Sequence, residues 1–215
     1  MDTAITDHLL ATTRAVRRRL DLNRPVARET VLECLRLAVQ APTGSNKQAW
    51  RWLVLDDPAV RAHVADVYAR NTLPVLDQRY SQLPDAQTRR VYDSARYLAT
   101  VLGRVPVLVV PCVQGRLDEP GATYPAAFYG SIFPAIWSFQ LALRSRGLGS
   151  VLTTPFHGEF EQRYAEILHL PADMTPIAMV PVAYTVGGDF QPAERPPIET
   201  ITRWNRWTES GCAPV

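Results

Sequence analysis

Two short stretches carry the side chains best suited to holding a polar ligand. The first is "QAPTGSNKQAWRW", residues 40–52, where Gln, Thr, Ser, Asn, Lys and Gln crowd one turn. Pro42 and Gly44 shape its backbone, and Trp50 and Trp52 close it. So many donors and acceptors either satisfy one another or face a ligand. Taken alone, the stretch reads as a helix stop followed by an Asn/Ser turn that bonds its own backbone. The second is "TTRAVRRRLDLNRP", residues 12–25, with Arg14, Arg17, Arg18 and Arg19 at the expected end of a first helix. Arg18 and Arg19 suit a solvated cationic helix C-terminus, where the macrodipole favours positive charge. Arg14 and Arg17 are three apart and would share a helix face, so together they could grip a phosphate with their planar donor forks. No basic or aromatic stripe extends the cluster, which weakens a nucleic-acid reading.

Other chemistry is thinly represented. The chain has no G-x-x-x-x-G-K-[ST], no G-x-G-x-x-G after a strand, no G-x-S-x-G and no H-E-x-x-H, so ATPase, Rossmann, serine-hydrolase and zincin readings drop out. His8, His63, His157 and His169 lack metal-ligand spacing and read as surface residues, so no metal site is expected. Cys34, Cys112 and Cys212 are an odd, widely separated set, which suggests core or surface thiols rather than disulfides or zinc. A net charge of +2 on 215 residues argues against a polyanionic partner, so no nucleic acid is expected.

The elements that must position these stretches follow from periodicity. Ile5, Leu9, Leu10 and Val16 suggest one helix over residues 3–15, and Val31, Leu35, Ala38 and Val39 a second over 27–39. "RWLVLDDP" reads as a buried strand that stops where Asp57 can cap a new helix with Pro58 at its first position. Residues 71–84, with two prolines among polar residues, read as a lid loop, and a helix is expected from about Asp85 to Leu102. "PVLVVPCV" is a strand, and "GRLDEPGATYP" a loop that could rim a site. The most apolar helix spans about Ala126 to Arg146 and stops at Gly147. "GSVLTTPF" and "PIAMVPVAYTV" supply two more strands around a helix in "GEFEQRYAEILHL", and a proline-rich tail runs from Gly187.

Two helices before any strand fit an α+β fold, a sheet covered by helices, better than a doubly wound one. Residues 1–215 are expected to form one domain. There is no apolar run near the ~18 residues of a membrane span and no basic, then apolar, N-terminal signal, so the cytoplasm is the expected compartment, with no membrane.

Taken with the polar turn, the strand bearing the tryptophans and the late "ERPPIE", the arginine stretch gains meaning. "TRAVRRR" at 13–19 and "APTGSNKQAWRW" at 41–52 resemble the "RRSVRxF" and "APSxxNxQPWxF" segments of the FMN-dependent nitroreductase family, at family-like separation. "GLGSVLTTPF" at 147–156 resembles that family's "GLGTxWIGGF", and "PVAYTVGGDFQPAERPPIETI" its last strand and basic tail. The resemblance covers nearly the whole chain and is thinnest between residues 70 and 130.

The resemblance implies a mixed sheet covered by helices in an intertwined homodimer, with two FMN sites each built from both chains. The extension from about residue 187 would wrap the partner. Pro42, Thr43, Gly44, Asn46 and Gln48 would line the partner's flavin. Arg14 and Arg195 would hold the phosphate with the Ala15 amide, and Arg17 would stand at flavin N1 and O2. Thr153 and Thr154 would lie along the ring and offer an amide toward N5. A cation at N1 and O2 offsets the charge that two-electron reduction leaves there. The sequence departs from the family at Thr13, where many members carry an Arg, at Ala15, which replaces a Ser, at "TTP", which replaces a glycine-containing turn, and at "YLAT" (97–100), where an Asn/Lys pair is usual.

The implied activity is ping-pong reduction of nitroaromatics, quinones or similar flat acceptors with NAD(P)H as co-substrate, and no catalytic side chain is assigned. The alternatives are another reaction on the same fold (dehydrogenation, dehalogenation or flavin cleavage) and a flavin-binding protein without turnover.

Overall fold

The computed structural model describes residues 2–118 and 124–207. Cys212 and part of the 115–125 loop, two of the sequence expectations, lie outside the described residues. The helices are α1 (Thr3–Thr12), α2 (Arg28–Ala38), α3 (Pro58–Tyr80), α4 (Ala86–Val101), α5 (Pro125–Arg144), α6 (Glu159–Leu168) and α7 (Ile198–Ile201). The strands are β1 (Trp50–Leu55), β2 (Val107–Gln114), β3 (Leu148–Ser150), β4 (Met174–Pro176) and β5 (Val180–Tyr184).

The five strands form one sheet in the order β1-β2-β5-β3, with β4 also paired to β2. All four ladders are antiparallel, and a bridge between Ala15 and Ser150 is parallel. The fold is therefore α+β, as expected. Strand β2 is buried from Val107 to Val113 because helices cover both faces of the sheet. Its period of two divides the core in half. Val107, Val109 and Val113 join the side covered by α2 and α5. Leu108, Val110 and Cys112 join the side covered by α3, α4 and α6.

Pro111 explains why the expected strand over 176–186 is two strands. Lacking an N–H, it sits where β2 changes partners, with β5 paired to residues 107–109 and β4 to 112–114. Only its carbonyl is used, accepting from Ile177 N at 2.9 Å.

Asp57 caps α3 as anticipated, its carboxylate accepting from the amides of Ala59 and Val60. The lid loop expected over 71–84 is mostly helix instead. Helix α3 runs through Pro74 to Tyr80, although an interior proline forfeits a helical hydrogen bond. Tertiary contacts offset that loss: Tyr68 is buried in the core, Leu73 packs against it, and Asp77 pairs with Arg96 of α4.

Helix α5 is long and apolar enough to cross a membrane by length and composition. Here it lies on the sheet, with Phe128, Ile132, Ile136, Phe139 and Leu143 buried. Its other side exposes Tyr129, Phe133 and Trp137.

Candidate functional site

Helix α1 ends early because Thr12 and Thr13 turn their hydroxyls onto the carbonyls of His8 and Leu9, both at 2.6 Å. The arginines beyond it stand on extended chain, held to the sheet where Val16 N donates to Ser150 O at 2.9 Å and Asp21 N to Tyr184 O at 2.8 Å. This corrects two expectations: Arg14 and Arg17 share no helix face, and Arg18 and Arg19 cap no helix dipole. Each arginine instead has its own tertiary neighbour. Arg19 pairs with Asp189 at 2.6 Å and stacks on Phe190. Arg18 donates to the Asp93 carbonyl and covers the Tyr97 ring. Arg14 donates to the Gln191 carbonyl at 3.1 Å, and Arg17 to Ser94 Oγ at 3.3 Å.

Arg14 and Arg17 differ from Arg19 in having no carboxylate within ion-pair distance among the described residues. Arg17 is half-buried, and that burial lowers its pKa, while the nearby Tyr68 pulls the other way. A partly desolvated cation without a counter-ion costs free energy in the free protein, and an arriving anion would relieve that cost.

Tyr68 of α3 ties Arg17 to the expected N5 segment. It is 4 % exposed, and burial raises the phenol above its ordinary pKa. The side chains of Thr153 and Thr72 and the Arg17 charge act in the opposite direction. Thr153 and Thr154 have different circumstances. The Thr153 amide and hydroxyl both donate to Met179 O, at 2.9 and 3.0 Å. Thr154 is exposed and has no hydrogen bond within the described protein, so its amide and hydroxyl are available.

Tyr68, Thr72, Thr153 and Thr154 border a cleft of about 200 Å³. Helix α3 contributes Tyr68, Asn71, Thr72, Val75 and Leu76. The segment after β3 contributes Thr153, Thr154, Pro155 and His157. Sequence reasoning missed the α3 residues. The available signal was the stripe Val60, Val64, Val67, which continues at helical spacing to a polar residue, Asn71, that is 4 % exposed.

The polar turn lies elsewhere. Gly44 N donates to Ser131 Oγ at 3.0 Å, and Trp50 Nε1 to Ser131 O at 2.9 Å, so the turn is fastened to α5. Gln48 N reaches Thr43 Oγ1 at 3.3 Å, and Gln48 Nε2 reaches Asn46 Oδ1 at 2.8 Å. The expected self-bonded turn is therefore present in part. Yet Pro42, Gly44, Asn46 and Gln48 are exposed, and Ser45, Asn46 and Gln48 have φ of 53°, 53° and 49°. Left-handed backbone at non-glycine residues costs roughly 1–3 kcal/mol each and clusters at functional sites.

The expected site residues thus form separate groups within one chain. Arg14, Ala15, Arg17, Thr153 and Thr154 gather beside β3. Pro42, Thr43, Gly44, Asn46 and Gln48 sit against α5. Arg195 is exposed, and its guanidinium donates to the Glu194 carbonyl. The histidines are exposed, as expected, and Cys34 and Cys112 are buried, the Cys112 thiol pushed up to about 12 by desolvation. No metal-binding cluster occurs among the described residues.

A family model described as "Nitroreductase family" matches residues 10–184. The iodotyrosine deiodinase of Thermotoga neapolitana is 26% identical over 197 residues, 91% of this chain and 96% of that protein. The NADH dehydrogenase of Thermus thermophilus is 28% identical over 203 residues, 84% of this chain and 87% of that protein. In fold the chain is similar to a crystal structure of oxidized iodotyrosine deiodinase bound to FMN and 3-iodo-L-tyrosine, with a TM-score of 0.70, 24% identity, and coverage of 94% of this chain and 99% of that one.

Proposed function

The chain belongs to the nitroreductase family, and from that premise we propose that it is an FMN-dependent oxidoreductase that takes reducing equivalents from NAD(P)H and passes them to a flat acceptor such as a quinone or nitroaromatic. The observation that carries this reading is Arg17, a half-buried guanidinium with no carboxylate partner among the described residues. FMN, when bound, would supply the two-electron chemistry between the nicotinamide and the acceptor.

The chain's own groups then have distinct tasks. Arg17 holds positive charge where the reduced ring is negative, at the N1–O2 edge. Arg14, Arg195 and the Ala15 amide take the phosphate. Thr154 offers the amide at N5, because both Thr153 donors are committed to Met179 O. Pro42, Thr43, Gly44, Asn46 and Gln48 line the flavin of a second copy, in a homodimer formed across the exposed face of α5. The separation of the two residue groups within one chain supports that arrangement.

The similarity to iodotyrosine deiodinases makes reductive dehalogenation the second reading. The test of the first is direct. FMN should bind the purified protein with a change in flavin fluorescence, and the loaded protein should oxidise NADH or NADPH only when a quinone or nitroaromatic is supplied. Flavin fluorescence that stays unchanged at excess protein would refute the cofactor assignment.

A further inference from the structure

We propose that Asn71 is a specificity-determining residue whose side-chain oxygen accepts a hydrogen bond from an uncharged, ring-shaped substrate bearing a hydroxyl or N–H group. The inference rests on the flavin reading above, because the cleft that Asn71 lines also includes Thr153 and Thr154.

The orientation of the amide is settled by its partner. Asn71 Nδ2 lies 2.8 Å from the Pro155 carbonyl, which can only accept, so nitrogen and not oxygen must face it. That leaves Oδ1. It receives no donor from the described protein. Nor is it among the sealed, unpartnered side-chain atoms of the interior, which are Trp52 Nε1, Arg61 Nε, Arg144 Nε, Tyr164 Oη and Arg203 Nε. The oxygen therefore opens onto the cleft, on a residue otherwise 4 % exposed. A buried amide is costly on an apolar stripe unless both its ends are paired. One end is paired in the free protein, and a ligand donor would pair the other.

The walls indicate what kind of ligand would do so. Val75 and Leu76 supply apolar surface on the α3 side. Among the described lining residues none is Asp, Glu, Lys or Arg, so neither end of an amino-acid zwitterion would meet an opposite charge there. A site whose buried acceptor is filled by a ligand donor discriminates against the analogue lacking that donor, because the acceptor is then left unpaired.

The experiment uses FMN-loaded, oxidised protein and two matched ligand pairs, with equilibrium binding measured by calorimetry and by perturbation of the flavin absorption. In the first pair, 4-nitrobenzyl alcohol should bind about tenfold tighter than 1-ethyl-4-nitrobenzene, the worth of one hydrogen bond. Asn71→Leu should remove that preference. Because this variant also loses the bond to Pro155 and could fold poorly, the wild-type comparison stands by itself. In the second pair, 2-iodo-4-methylphenol should bind at least tenfold tighter than 3-iodo-L-tyrosine. Equal or reversed affinities in the first pair overturn the hydrogen bond, and tighter binding of the amino acid overturns the uncharged class. If FMN itself does not bind, the cofactor reading fails and this inference fails with it. FMN binding with the wrong ligand preference sinks the inference alone.

Discussion

Replacing Arg17 by Met should separate cofactor tuning from folding. Arg17 makes one side-chain hydrogen bond, to Ser94 Oγ at 3.3 Å, and has no carboxylate partner among the described residues. Losing that bond costs about 0.5–1.5 kcal/mol at most, and removing a half-buried, uncompensated cation returns a comparable amount, so FMN-free stability should change by less than ~1 kcal/mol. The flavin should feel a larger effect. A unit charge about 4 Å away is worth roughly 1 kcal/mol in bulk water and 4 kcal/mol at an effective dielectric constant of 20. Arg17 lies between those limits. For a two-electron couple, ~1.4 kcal/mol corresponds to about 30 mV, so the bound flavin's reduction potential should fall by roughly 20–85 mV. Arg17→Lys, which keeps the charge but not the planar fork, should recover much of it. The assay is a reductive titration against reference dyes, with chemical denaturation of the FMN-free protein alongside. If Arg17→Met unfolds the free protein and leaves the potential unmoved, the cation is structural and the argument is wrong.

Arg195→Ala and Arg14→Ala should each weaken FMN while sparing riboflavin, by roughly 1.5–3 kcal/mol per charge-assisted hydrogen bond lost; equal losses for both ligands in fluorescence titrations would refute phosphate contact. Thr153→Val removes the hydroxyl bond to Met179 O and the hydroxyl beside the Tyr68 phenol, so it should cost about 0.5–1.5 kcal/mol of stability per hydrogen bond lost without moving the flavin potential. Thr154→Pro deletes the free amide and should shift the potential, and the reverse pattern would hand the N5 role to Thr153. Trp137→Glu puts a charge on the exposed face of α5 and should convert a dimer to monomers that bind FMN poorly, as judged by sedimentation; monomers with undiminished FMN affinity would show that each chain builds its own site.

How much of this was legible in the sequence depended on whether the signal was local. The Asp57–Pro58 cap, the apolar strand β2 and the apolar α5 are set by near neighbours, and each is present as read. The continuation of α3 through Pro74 was not legible, because the residues that hold it are distant in sequence, such as Arg96 facing Asp77. The arginine stretch misled for a related reason. Val16 and Leu20 are spaced like a helix face, yet their burial comes from pairing along β3 and β5, while Thr12 and Thr13 end the helix before them. Among the site residues, Arg14 and Arg17 could be named from sequence, but their lack of a counter-ion could not. Asn71 required knowing both that α3 continues and that Pro155 lies opposite.

The two halves of the proposed site are linked through one helix. Ser131 of α5 fastens the polar turn by its hydroxyl and also accepts from Trp50 through its carbonyl. The same helix exposes Tyr129, Phe133 and Trp137 at spacings of four, so these rings share a face. Leu32 and Leu37 of α2 are exposed as well, and the tail presents Ile198, Ile201, Trp204 and Trp207 with 60–81% of each accessible. Such an apolar surface is costly in water, and a second copy would cover it. Seating a partner on α5 would then also bear on where the turn points, because Gly44 N is fastened to Ser131 of that helix. In the proposed dimer, FMN would bind only the assembled pair, and would therefore stabilise it by mass action. Strained backbone at Ser45, Asn46 and Gln48 is then understandable. Its cost falls on the free chain, and in the proposed dimer the contacts that offset it would come from the cofactor and the other subunit.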